Sequence, residues 1–325
     1  MRVTVAICTW NRAGFLEQTL AEMHKLRIPA GVEWELLVVN NHCTDGTNEV
    51  AARHVGKLPL RLLFEARQGL SHARNCALEA AKGELIVWTD DDVLVDPGWL
   101  EAYCQAAAQW PQAAFFGGNI QPWFASQPPR WIVDNPKLAP FSERQLGSGV
   151  RLMNADEYPF GANMAFRRAA LEPLAFDPRF GRVGDDLISG EEIHVIDRLK
   201  ERGLFGVWVG TARVKHHIPR QRLTRKYVWD FWVGIGRTNA RRQGSEEGVY
   251  WLGMPRWLIR RHIGHRCRSA WYRASGQSGW AKEFHRAAIT WGALIESRRS
   301  RRGSSGICGQ AHIEHGRATA ECELQ

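Results

Sequence analysis

The chain of 325 residues has no window approaching 18 consecutive apolar residues, so nothing in it reads as a membrane-spanning helix. Its start, Met1-Arg2-Val3-Thr4-Val5-Ala6-Ile7, lacks the apolar stretch of a secretory signal, and translocation is not expected. Seven cysteines (Cys8, Cys43, Cys76, Cys104, Cys267, Cys308 and Cys322) are scattered and odd in number, with no Cys-x-x-Cys pair. That pattern suits reduced cytosolic thiols better than a disulfide framework or a zinc site. No Gly-x-Gly-x-x-Gly follows the first strand-like run, which leaves a dinucleotide-binding reading poorly supported. Zinc-finger, aromatic-strand and helix-turn-helix signatures are also missing, so nucleic acid is not the expected partner despite a formal charge of +9. With 44% hydrophobic and 24% charged residues, the chain reads as a globular protein of one large or two smaller domains.

What is present is unevenly placed. Residues 1–200 hold 20 Lys/Arg against 25 Asp/Glu, whereas residues 201–302 hold 22 against 6 together with eight of the fifteen tryptophans. A cationic, Trp-rich segment suits contact with an anionic membrane surface, where Trp sits at headgroup level; a helical core stripe among solvated arginines is the plainer reading. The end, from Arg298, is polar and aperiodic and is expected to be disordered.

In the first half, strand-like runs at Val3–Cys8, Trp34–Val39, Leu60–Glu65 and Glu84–Trp88 alternate with amphipathic helices at Ala13–His24, Thr47–Val55 and Ser71–Ala81. Alternation at this spacing predicts βαβ units and a mostly parallel, Rossmann-like α/β sheet, with ligands beyond the carboxyl ends of its strands. Three polar turns fall on that rim: Thr9–Arg12, Asn40–Gly46 and Thr89-Asp90-Asp91-Asp92. Three adjacent carboxylates at a strand end repel one another and resist desolvation; a hard divalent cation resolves the conflict, and a solvated acidic turn is the bland alternative. The less regular stretch from Pro111 to Pro159 carries an expected strand at Phe115–Gly118, and also Trp123 and Trp131, each suited to stacking on a sugar or to anchoring a loop.

The segments Val5–Arg12, Leu37–Thr47, Gly69–Asn75, Thr89–Asp92, Gly161–Arg168, Gly190-Glu191-Glu192, Ala212–Pro219 and Arg222-Leu223-Thr224 come in the order found in family 2 glycosyltransferases, which the chain resembles over residues 3–240. The resemblance implies a GT-A-type nucleotide-sugar transferase, usually inverting, that works in cell-envelope or extracellular polysaccharide assembly. It implies Mg²⁺ or Mn²⁺ on Asp92 and His216, with Asp90 and Asp91 toward the ribose and the metal's water shell. Thr9, Asn11 and Asn40 would line the base pocket, and Arg74 or Arg67 would meet ribose or phosphate. Glu192 is the best match for the general base, with Glu191 an alternative, because the usual Glu-Asp pair is Glu-Glu here. Asn40 stands where relatives place Asp, which removes charge assistance to the base. The expected donor is a UDP-sugar, with a GDP-sugar second, and the acceptor a glycan or lipid-linked hydroxyl. The expected division is a GT-A-type domain over 1–222, a basic helical extension over 223–297 and a tail over 298–325. The expected place of work is the cytoplasm, peripheral to the inner face of the membrane. A catalytically lapsed sugar-nucleotide-binding module and a basic nucleic-acid-binding protein are the competing readings.

Overall fold

The computed structural model describes residues 1–136, 141, 143–244 and 248–314, the last thirteen as backbone alone. The chain divides into two compact units, one of Met1–Pro129 and Pro140–Leu223, the other of Arg130–Ala139 and Thr224–Gln325.

The first unit begins with the expected alternation: β1 (Arg2–Thr9), α1 (Ala13–Met23), β2 (Glu33–Asn40), α2 (Thr47–His54), β3 (Leu60–Phe64), α3 (Leu70–Ala80) and β4 (Leu85–Asp90). It continues with β5 (Val93–Val95), α4 (Trp99–Gln109), β6 (Phe115–Phe124), β7 (Val150–Leu152), β8 (Asn163–Arg167), α6 (Arg168–Leu171), α7 (Glu191–Glu201) and β9 (Gly206–Ile218); α5 (Arg130–Val133) falls in the second unit. Strands β3, β2, β1 and β4 pair in parallel, as apolar runs buried on both faces should. Beyond β4 the order continues β8-β6-β9-β5, with β8 antiparallel to both neighbours, β6 parallel to β9, and β7 on the flank of β9. The core lies on both faces of this sheet: Val5, Leu36, Val87 and Phe116 belong to one cluster, and Ala6, Leu37, Trp88 and Phe166 to the other.

One irregularity sets the phase of the second half of β9. Pairing of β6 with β9 runs Gly118↔Val209 and then Asn119↔Arg213, so Gly210, Thr211 and Ala212 bulge out of register. The bulge is tied down by buried Asn163, whose amide donates to Asn119 O (2.9 Å) and Ala212 O (2.8 Å) while its carbonyl accepts from Trp99 Nε1 and Tyr103 OH (both 2.7 Å). A side chain on Gly118 would overlap that amide, so the close approach requires glycine there.

The second unit carries α8 (Arg225–Gln243), a short hairpin of β10 (Tyr250–Trp251) and β11 (Met254–Pro255), α9 (Arg256–Ala274) and α10 (Trp280–Glu314). Thr224 caps α8 by accepting from Tyr227 N at 3.2 Å. Helices α8 and α10 cross closely because Gly236 and Gly292 each leave space for the other helix's backbone. Trp131 packs against Trp280 here, with Arg225 stacked over both rings, so it anchors its own segment. The stretch from Arg298 expected to be disordered continues α10 to Glu314; residues 315–325 lie outside the described residues. No helix among the described residues is long and apolar enough to cross a membrane.

Candidate active site

The polar turns meet at the carboxyl ends of the parallel strands, and they knit one another together. Asn11, at a left-handed φ of 52°, accepts from Thr44 N at 2.7 Å, while Asp45 accepts from Ala13 N at 2.9 Å and so caps α1. Asn40 accepts from Cys43 N and donates to Asn48 Oδ1, both at 2.7 Å. Asn41 donates to Glu65 O and Arg67 O and accepts from Gly69 N, which ties the start of α3 to the same rim. Thr9, Asn11 and Asn40 are therefore neighbours on one rim. The side chains of Thr9 and Asn40 are nonetheless buried and their hydrogen bonds spent within the protein.

The three aspartates divide into different roles. Asp91 is buried and turned inward, accepting from Thr9 Oγ1 at 2.8 Å and from Arg12 Nη1 at 3.0 Å, and its carbonyl accepts from Thr19. It thus faces the interior rather than a ribose or a water shell. Burial pushes its carboxyl up to about 6, with the neighbouring Asp92 adding to the rise and Arg12 opposing it. Asp92 is also buried, but burial is outweighed by His216, Arg222 and Arg12, which hold its carboxyl well below the usual range. Arg12 Nη1 and Arg222 Nη2 lie 2.9 and 3.3 Å from Asp92 Oδ2, and His216 Nε2 lies 3.2 Å from Asp92 Oδ1. An acid this deeply paired is no exposed strand-end residue, so its removal touches the fold as well as the chemistry.

Asp90, Asp92 and His216 each present one ligand atom, and these atoms lie within 4.8 Å of one another. His216 comes to Asp92 because β5 pairs with β9 in the register Val93↔His216, and His217 N donates to Asp92 O at 2.9 Å. His216 is buried, not a surface histidine on a basic strand. Its Nδ1 lies 3.3 Å from Phe141 O, and its Nε2 lies 3.3 Å from Arg222 Nη1 and faces Asp92, so the ring is held from both sides. Asp92 Oδ1 is buried without a hydrogen-bond donor. Two carboxylate oxygens and an imidazole nitrogen around an oxygen lacking a donor fit a hard divalent cation. Neighbouring His217 packs between Phe15 (centroids 4.7 Å apart) and half-exposed Trp123 (5.2 Å), outside this ligand set.

A second acid pair opens α7 behind Gly190, whose φ of 99° turns the chain into the helix. Arg74 Nη1 and Glu191 Oε1 form a buried ion pair at 2.7 Å, and the guanidinium lies over the rings of Trp88 and Phe176. Gly161 leaves the space that Arg74 occupies. Burial and the Glu191 charge push Glu192 up to about 8, against the pull of Arg74, and its Oε2 is shielded without a hydrogen-bond partner. Asp90 adds to that rise, and it also acts on Arg74, so Arg74 sits electrostatically between the two acid groups.

Two residues read as donor contacts are paired within the protein. Arg74 serves Glu191, and Arg67 closes back on Glu65 at 2.9 Å, so neither presents an unpaired guanidinium to a phosphate. Conversely, the sequence reading left out Arg12 and Arg222 as site residues, and also Thr19, which donates to Asp91 O, and Asn163, which ties down the β9 bulge. Arg12 closes the first polar turn, where a cation on the rim that carries an acid triplet is a usable signal. Asn163, an amide inside the apolar run Gly161–Phe166, signals a buried hydrogen-bond hub.

The model of glycosyl transferase family 2 matches residues 4–174. Over 255 residues the chain is 26% identical to the glucosyl-dolichyl phosphate glucuronosyltransferase of Haloferax volcanii, a match covering 73% of this chain and 76% of that one. The fold is similar to that of the mannosyltransferase PcManGT from Pyrobaculum calidifontis in complex with GDP-Man and Mn²⁺, with a TM-score of 0.53 at 18% identity over 98% of this chain and 80% of that chain. It is also similar to S. aureus TarS 1–349 in complex with UDP, with a TM-score of 0.55 at 15% identity over 92% of each chain. These likenesses identify the GT-A fold.

Proposed function

The chain belongs to glycosyl transferase family 2 and is a glycosyltransferase; from that premise we propose that it transfers a sugar, with inversion and with a divalent cation, from a nucleoside diphosphate donor to a hydroxyl of a glycan or lipid-linked acceptor. The observation that carries the reading is the grouping of Asp90, Asp92 and His216 around an Asp92 oxygen that lacks a donor. When bound, Mg²⁺ or Mn²⁺ would neutralise the charge that develops on the departing diphosphate.

The protein's own groups have distinct tasks. Arg12 and Arg222 keep Asp92 ionised, so a ligand carboxylate is available at any physiological pH, and His216 is oriented through Nδ1. Glu192 takes the proton of the acceptor hydroxyl as its oxygen attacks the anomeric carbon. The Arg74–Glu191 pair fixes the start of α7, while burial and the Glu191 charge, opposed by Arg74, raise the basicity of Glu192. Trp123, half-exposed beside His217, is suited to stack on a sugar ring.

The donor screen begins with UDP-sugars and continues with GDP-sugars. We take the acceptor to be met at the inner face of the cell membrane in cell-envelope or extracellular polysaccharide assembly, a reading supported by the dolichyl phosphate in the name of the Haloferax relative. The test is thermal stabilisation by each donor with Mn²⁺ and with EDTA, followed by transfer to the soluble or lipid-borne acceptor. A ligand that binds the native state raises its melting point. Cation-dependent stabilisation by one nucleotide sugar is expected; equal stabilisation in EDTA would end the metal-dependent reading.

A further inference from the structure

The second unit turns apolar side chains outward at two places that share one cationic surround. The hairpin β10–β11 carries Val249, Trp251 and Leu252 at 65%, 61% and 63% exposure, with Leu252 at the turn in a left-handed φ of 52°. The chain then enters α9 directly at Arg256. Along α9, Leu258 and His265 are buried and Ile259, His262 and Tyr272 half-buried, which defines an inner stripe. The outer side presents Trp257, Arg260, Arg261, Ile263 and Trp271, with Trp271 at 67% exposure. Trp257 and Trp271 stand fourteen residues apart, about 21 Å along the axis, with arginines between them.

Charge decides what this surface meets. Helix α9 contains six arginines and no acid. The two acids of α10 before Arg298 are engaged inside the unit: Glu283 with His265, Arg268 and Arg286, and Glu296 with Arg237 and Arg241. Their charge is therefore not available to neutralise the outer face. Stacking of Arg301 on Tyr250 and the approach of Arg298 to Gly253 place further cations beside the hairpin. Exposed indoles with arginines, next to a protruding Trp-Leu turn, match a boundary that is apolar below and anionic at its surface. A folded nucleic acid meets the arginines equally well but offers nothing to an aliphatic turn.

We propose that the β10–β11 tip and the outer side of α9 form a docking surface for an anionic lipid bilayer, with Trp251 and Leu252 entering the headgroup–acyl boundary and the α9 arginines facing lipid phosphates. The proposal rests on the reading of a membrane-side acceptor, but its test uses neither donor nor acceptor, so the two fail separately. The full chain is mixed with vesicles of phosphatidylcholine containing phosphatidylglycerol, with pure phosphatidylcholine vesicles, and with polyuridylate. Binding to the anionic vesicles alone, weakening as salt rises and quenched by lipids brominated near the headgroup, is expected. Each arginine near an anionic surface changes binding by about five-fold, so R260Q/R261Q should weaken it by about 30-fold. W251S/L252S should abolish quenching by brominated lipid. Both double variants keep their melting temperature, because the altered side chains are exposed. Binding to polyuridylate but not vesicles, failure to bind anionic vesicles at low salt, or unchanged quenching in W251S/L252S overturns the proposal.

Discussion

The turn after β4 and the first turn of α7 solve the same problem in opposite directions. Each places two acids side by side in a buried setting, and each assigns one of them to holding the structure. Asp91 is spent on Thr9 and Arg12, and Glu191 on Arg74. The remaining partners diverge. Asp92, faced by two guanidinium groups and an imidazole, is held ionised; Glu192, faced by a like charge and little water, is pushed up to about 8. A metal ligand needs its charge, and a general base needs basicity near the working pH. The placement of arginine relative to each pair, not the acids themselves, makes the difference.

The strongest way to break this comparison is to neutralise Asp92. Asp92→Asn removes a ligand and strands Arg222, leaving Arg12 with Asp91 alone, so transfer should fall by roughly 10³-fold or more, as loss of several kcal/mol of metal-borne stabilisation implies. Urea unfolding should show a loss of about 3–5 kcal/mol, since one partner of a buried charged group is gone. Asp91→Asn should share the stability loss while Mn²⁺ binding, read by calorimetry, persists. If Asp91→Asn abolishes Mn²⁺ binding and Asp92→Asn does not, the two roles are exchanged.

Next in size is Glu192→Gln. Steady-state kinetics should show turnover down by roughly 10²–10⁴-fold with donor affinity kept. Glu191→Gln should chiefly lower the melting temperature. Arg74→Met leaves Glu191 buried and uncompensated, at a cost of about 3–5 kcal/mol in denaturant unfolding; a variant as stable as the parent would show that the pair holds nothing.

The pH dependence sharpens the contrast. Glu192 is base-competent only when deprotonated, so kcat/KM should rise about tenfold per pH unit up to about 8 and then level. Stability should run the other way. Between 4.5 and about 8 the folded protein keeps a proton on Glu192 that the unfolded chain releases, so this group's contribution falls as pH rises through that window. Glu192→Gln should remove both slopes; a pH–rate profile unchanged in that variant would transfer the base role elsewhere. The smallest effect belongs to Asn40→Asp, which puts a carboxylate against Asn48 Oδ1 in place of a donor. It should cost about 1 kcal/mol in thermal unfolding, and a stabilised variant would show that the loop tolerates the charge.

The first four strands and three helices were legible because buried parallel strands are continuous apolar runs, and because amphipathic helices between them carry their own period. Strands β5, β7, β8 and β9 were not: β5 and β7 are three residues each, and their pairing partners lie 55 to 123 residues away in the chain. The acids and His216 were legible as residue types in order. Their division of labour was not, because it depends on where Arg12, Arg74 and Arg222 reach, and a guanidinium on a long side chain leaves no local pattern. Asp91, read as facing the donor, faces inward for that reason, and Arg74, read as a phosphate contact, serves Glu191.

The bulge at Gly210–Ala212 sets a parity. Side chains alternate along a strand, so an extrusion of three residues, being odd, exchanges the two faces of β9. Val207 and Val209 point one way before it; Val214 and His216 take over that direction after it. A chain lacking one of Gly210, Thr211 or Ala212 has two ways to pair β9 with β5 and β6: a shortened bulge keeps His216 opposite Val93, whereas a one-residue slip brings His217 to that place. Which of the two adjacent histidines meets the acids therefore rests on a register that one asparagine helps to hold.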